Sequence, residues 1–223
     1  MHPVSRMVGR VTGDGNEMNV AIVGLHPNSV VPEGVDVWAI NDYYVHIQTR
    51  HLKPTRIYNL HEEDALNEAI AKFQPEGRWL GDWKQAYRET DAEVVTLGPI
   101  EDLETTILDK DRLIDEFGDD HLSCSISIMI CEAVVAGAEV IHLCGVELAM
   151  PGEYIYQSRG ILAAIEAARE RGVIVNAANE EPWRVRIDMT DWKMAPEFMT
   201  PYWLRERPVT EKDLQKTIRE FNP

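Results

Sequence analysis

Six short apolar runs constrain what this chain can fold into: Asn19 to Gly24, Val35 to Asn41, Thr55 to Leu60, Ala92 to Leu97, Ala138 to Gly145 and Val173 to Ala177. Most are near-continuous Val, Ile, Ala and Leu, without the alternation that one solvated face would impose. Such runs suit parallel strands covered on both faces. Between them the pattern predicts helices over Glu62 to Phe73, Trp79 to Glu89, Asp109 to Phe117, Ser125 to Ala136 and Ile155 to Arg171. The last two are long, rich in Ala with Ile or Met, and stopped by Gly137 and Gly172. Strands alternating with helices predict an α/β domain, a Rossmann-like open, mostly parallel sheet with helices on both faces. Ala138 to Gly145, the helix after it, and Val173 to Ala177 form the expected right-handed βαβ unit. The first two strands are joined by an unusually short crossover.

Outside these runs the chain is harder to read. Residues 1–18 are polar and without period, and are expected to be a flexible leader. Residues 19–181 form the expected Rossmann-like domain. Residues 182–223 carry Trp183, Trp192, Tyr202 and Trp203 among prolines, then a short helix signalled by Thr210 to Asp213. This part reads as an arm that wraps its own domain or a second copy, so a homo-oligomer is one expectation. Trp79, Trp83 and Tyr87 recur at i, i+4, i+8 and read as core, or as a cover over a site, rather than a base-stacking platform.

Charge narrows the function. With 22 Lys and Arg against 38 Asp and Glu, the formal charge is −16. General nucleic-acid binding needs clustered cations on phosphates, so it is not expected. Cys124, Cys131 and Cys144 lie in apolar surroundings without CxxC spacing and read as buried thiols of a reducing cytoplasm. No run approaches eighteen apolar residues and the N-terminus lacks a signal-peptide core, so the expected protein is soluble, cytoplasmic and not membrane-bound.

In an open parallel sheet, ligands bind outside the carboxyl ends of the strands. Those ends carry Gly24, Pro27, Asn28 and Ser29 in the stretch NVAIVGLHPNS, then Asn41 and Asp42, His61 to Asp64, and Gly145 to Glu147. A glycine there lets backbone approach a ligand, and the N–H groups of a helix start favour an anion. Ser125 stands where an apolar helix begins, in Ser123-Cys124-Ser125, a place that suits an N-cap at least as well as a ligand group. The expected ligand is a nucleotide or nucleotide-sugar. GxxxxGK[ST] is absent and GxGxxG does not follow the first strand, which argues against a P-loop kinase and an NAD dehydrogenase.

The order GLHPNS, WAIND, SCSIS at a helix start, and IHLCGVE followed by EYIYQSRG resembles the Rossmann-like proteins of the MptE-like (DUF115) group. That group includes 6-hydroxymethylpterin diphosphokinases, is distantly similar to bacterial family 42 sialyltransferases, and has versions in bacteriophage genomes. The resemblance covers roughly Asn19 to Ala178. It implies that Gly24, Pro27 and Ser29 form a phosphate and ribose turn, that Asn41 contacts the nucleotide, and that Ser125 lies beside it. It also implies that Glu147 takes the place of the acidic residue after the family's Gly-Val or Gly-Ile pair. Tyr154, Tyr156 and Arg159 belong to a mobile segment closing over the ligand. The chain departs from the pattern twice: no histidine follows His142, which argues against sialyl transfer, and His26 replaces a small residue in the glycine-proline turn.

Two chemistries fit the constellation. Diphosphate transfer rests on positioning and charge neutralisation. Mg²⁺ is then an optional cofactor near Asp42, Glu62, Glu63, Asp64 or Glu147, with Arg159 or Arg56 on the transferred group, although no set of metal ligands is read from the spacing. Glycosyl transfer needs a base for an acceptor hydroxyl, and His61 is best placed for it. His142, inside VIHLCG, reads as a satisfied core residue. A transferase with His61, Glu147 and Arg159 as its reacting groups is the leading expectation. A non-catalytic nucleotide-binding or sequestering protein, or an assembly protein with a relic pocket, is the alternative.

Overall fold

The computed structural model describes residues 18–24, 30–41, 43, 51–61, 63, 83–118, 121–146 and 153–177. All six expected strands form: β1 (Asn19–Val23), β2 (Asp36–Ile40), β3 (Arg56–Asn59), β4 (Glu93–Thr96), β6 (Val140–Cys144) and β7 (Ile174–Ala177). A seventh, β5 (Thr106–Ile107), is two exposed residues long and leaves no periodic signal. The described helices are α1 (Trp83–Arg88), α2 (Lys110–Phe117), α3 (Ser125–Val135) and α4 (Glu153–Glu170). Most of the expected helix over Glu62 to Phe73, the leader and the C-terminal arm lie outside the described residues.

Every pairing in the sheet is parallel, and the strand order is β5-β4-β3-β2-β1-β6-β7. The chain walks outward from β1 to β5, then returns across β1 to lay down β6 and β7. The order therefore reverses between β1 and β6, the switch point at which such sheets open a crevice. The short crossover holds: β1 and β2 are adjacent, with Val23 beside Ala39.

Side chains alternate between two layers. Val20, Ile22, Trp38, Tyr58, Val95, Ile141 and Leu143 join the main core with residues of α2, α3 and α4. Ala39, Ile57 and Val94 face the other way, against Trp83 and Tyr87 of α1. Helices thus cover both faces, as a parallel sheet requires. Helix α3 is apolar all round, with Ile126, Ile128, Met129, Ile130, Cys131 and Ala133 buried, the composition of a helix enclosed by its neighbours. Each large side chain among these contributes about 1.5–3 kcal/mol by burial. The aromatic pair in α1 packs edge to face, with centroids 5.7 Å apart, so the Trp83 and Tyr87 part of the stripe is core.

Two charged groups at the starting edge of the sheet pair with each other. Arg56 opens β3, lies 4.9 Å over Trp38 and donates to Glu93 at 2.6 Å, and Glu93 in turn accepts from Thr106. This corrects the reading of Arg56 as a phosphate cation: it stands three residues, roughly 10 Å, from the carboxyl end of its strand and is already committed. At the same edge Arg171 donates to the carbonyls of Glu116 and Ala167 and stacks 4.2 Å over Phe117, so one guanidinium caps the ends of both α2 and α4.

The β1 and β6 ends meet more closely than any side chain would permit. A Cβ added to Gly24 would lie 2.4 Å from the Gly145 carbonyl oxygen and 3.1 Å from Val146 Cα. The Gly24 N–H donates to the Cys144 carbonyl at 2.8 Å. Because the obstructing atoms are backbone, Gly24→Ala must move a strand end, and the expected cost is about 1–3 kcal/mol or more. Urea unfolding checks this, and an unchanged midpoint would refute the contact.

Candidate functional site

The carboxyl edge of the sheet is built from β6, β1, β2 and β3 in that order, with neighbouring strands ~4.8 Å apart. Gly145 and Gly24 stand at the switch. Glycine at 24 was expected for close approach to a ligand; in the structure its immediate neighbour is the Gly145 backbone. Gly145 has φ 62°, a left-handed conformation that costs glycine little and turns the chain away from β6.

Two helices aim their N-termini at this edge. After α3, Glu139 N–H bonds the Met18 carbonyl at the start of β1, and after α4, Ile174 N–H bonds the Glu139 carbonyl. Both helices therefore end at the starting edge of the sheet and begin at the carboxyl edge. Helix α4 has 18 residues against five in β6. At 1.5 Å per helical residue and 3.3 Å per strand residue, its first turns reach about 10 Å beyond the strands. Tyr154, Tyr156 and Arg159 belong to those turns.

The cap of α3 differs from expectation. Cys124 is the N-cap, and Ser127 closes the turn: its hydroxyl donates to the Cys124 carbonyl at 2.8 Å and accepts from the Cys124 N–H at 3.1 Å. Ser125 is the first helical residue and is not used by the cap.

At the neighbouring strand ends Asn41 is held in place on several sides. Its N–H donates to the Tyr58 carbonyl at 2.9 Å, its carbonyl accepts from the Tyr87 hydroxyl at 2.7 Å, and Tyr43 N–H bonds the Ile40 carbonyl to close the turn. Its φ is 39°, in the left-handed region that Asn enters more readily than other side-chain-bearing residues. That backbone brings Asn41 Nδ2 to 3.1 Å from His61 Nε2. Asn41 and His61, each singled out separately in the sequence, are thus brought together, with His61 exposed.

Beside Asn41, at the end of β3, lies a residue the sequence reading missed. Asn59 is 0% exposed, and neither its Nδ2 nor its Oδ1 has a hydrogen-bond partner among the described residues; the same holds for Asn41 Oδ1. The available signal was the lone amide inside the apolar run TRIYNL. Tyr87, the clamp on Asn41, was visible only as part of an aromatic stripe.

Other expected residues do not enter the described site. Pro27, Asn28, Ser29, Asp42 and Glu147 lie outside the described residues, as do His26, Glu62 and Asp64. Glu63 forms an ion pair with Lys84. Among the described residues no group of three His, Cys, Asp or Glu side chains could hold a metal ion, and no helix is long and apolar enough to cross a membrane. His142 is half-buried and lies 3.4 Å from the Asn176 amide on the neighbouring strand, away from the Asn41 and His61 pair.

No protein-family model matches the chain, and no curated protein does. Among solved structures it is similar to the sialyltransferase CstII from Campylobacter jejuni, determined in complex with cytidine-5'-monophosphate, at 15% identity and a TM-score of 0.38. The match covers 60% of this chain and 63% of that one.

Two outcomes are expected from this geometry. Asn41→Ala keeps a Cβ in the left-handed region and Asn41→Gly removes it, so the glycine variant should be the more stable of the two by about 1–2 kcal/mol; equal urea midpoints would refute the constraint. Burial raises the Cys144 thiol to about 11, and Cys124 and Cys131 are buried as well. All three should resist Ellman's reagent at pH 8 until urea is added, and rapid native labelling would show an open strand end.

Proposed function

We propose that this chain binds a nucleotide or nucleotide-sugar across the carboxyl ends of β6, β1, β2 and β3, and that it transfers a glycosyl or diphosphate group from it. The observation that carries the reading is the switch point itself: Gly24 and Gly145 bring two backbones together at the edge toward which α3 and α4 both direct their N-termini. Unsatisfied N–H groups and the positive helix ends favour a phosphate there. One strand further on, Asn41 stands at the end of β2, the place from which dinucleotide-binding sheets address a ribose. Ser125 and Gly145 flank the phosphate position in this reading. Pro27, Asn28, Ser29 and Asp42 would line the turns between, Arg159, Tyr154 and Tyr156 would approach from α4, and Glu147 would follow Gly145 as the acidic group.

For transfer, His61 is the base that would take a proton from the acceptor hydroxyl. Its chemistry depends on which way the Asn41 amide faces, since the amide oxygen and nitrogen are assigned from the hydrogen bonds they make. With Nδ2 donating to Nε2, the ring proton sits on Nδ1 and the Nε2 lone pair is engaged. With the amide turned, Nε2–H donates to Oδ1 and Nδ1 becomes the basic nitrogen. A plain nucleotide-binding protein is the second reading.

A thermal-shift panel of nucleotides, nucleotide-sugars and pterins, each with and without Mg²⁺, tests the binding. A ligand at a hundred times its Kd should stabilise the fold by about 2.7 kcal/mol. No shift with any ligand would overturn the proposal. A shift with no product formed would leave the binding reading, and His61→Ala should abolish turnover while keeping the shift.

A further inference from the structure

We infer that Asn59 reads the base of the nucleotide, a conclusion that rests on the binding site proposed above. Asn59 ends β3, fully buried, with a donor and an acceptor that meet no partner among the described residues. A buried amide left so is costly, because it has given up water for nothing. Asn19 Oδ1 at the starting edge is unpartnered as well, but Asn59 lacks a partner for donor and acceptor alike, and as the last residue of β3 it lies at the edge where the ligand is expected.

Its position selects the part of the ligand it would meet. The backbone hydrogen bond from Asn41 to Tyr58 sets Asn59 beside Asn41. It lies two strands from Gly24, roughly 10 Å. With phosphate at the switch and ribose at the end of β2, the base falls next, at the end of β3. Asn59 also alternates onto the side of Ile57, the layer of Trp83 and Tyr87, so a flat ring would enter an aromatic layer.

The chemistry matches as well. A primary amide offers N–H beside C=O. Its complement is a base edge with donor next to acceptor: the amino group and ring nitrogen of cytosine or adenine, or the carbonyl and N–H of uracil or guanine. A phosphate, which only accepts, would leave Oδ1 unsatisfied. In a site shielded from water these bonds also discriminate more strongly than they would at the surface.

The test compares wild type with Asn59→Val and the smaller Asn59→Ala, using the nucleotide that gives the largest shift and ribose 5-phosphate as a baseless control. Removing an unpartnered amide should raise the ligand-free midpoint of Asn59→Val by a few degrees. Wild type should prefer the intact nucleotide, and both variants should lose at least tenfold of that preference while binding ribose 5-phosphate as before. Retained preference in both variants would overturn the role of Asn59 and leave the nucleotide site standing. A lower ligand-free midpoint in both would overturn it too, by showing that the amide serves the fold. If wild type binds neither compound, the nucleotide reading fails and this inference with it.

Discussion

Two backbones in contact at the ends of β1 and β6 set the terms for the carboxyl edge. Strand order alone makes a switch point, but how closely its two strands can run depends on the residues that leave them. Gly24 against the Gly145 carbonyl lets the strands stay paired to their last residues, Val23 beside Cys144. A side chain at position 24 would spread the strand ends. The glycine is a packing residue at the edge where α3 and α4 both begin.

The two edges of the sheet carry unmet polar groups unequally. At the starting edge Arg56, Glu93 and Thr106 satisfy one another and Arg171 covers two helix ends, while Asn19 Oδ1 is left unpartnered among the described residues. At the carboxyl edge Asn41 is held in a left-handed conformation, and Asn41 Oδ1 and both polar atoms of the Asn59 side chain are buried without a partner among the described residues. Strain and unmet hydrogen bonds cluster where proteins do their chemistry more often than where they only hold together.

Most of the sheet was legible because buried parallel strands leave apolar runs that turn residues interrupt. NVAIV and VIHLC both appear as strands within a residue or two of the expected limits. The pair Thr106 and Ile107 was not legible, since two exposed residues joined to an edge carry no pattern. At the site, Asn41 and His61 were found because they stand at strand ends, which periodicity locates. Asn59 also ends a strand, but it and Tyr87 were missed because what sets each apart is a contact, or the lack of one, across elements distant in sequence. Arg56 was misplaced because composition shows a cation but not which end of a strand it occupies.

Arg171 holds α2 and α4 together at the edge opposite the site, and it does so through carbonyls at their last turns. The same helix is buried through Ile161, Leu162, Ala164, Ile165, Ala167 and Ala168, so α4 is anchored along its core face as well as at its end, and only its first turns overhang the strands.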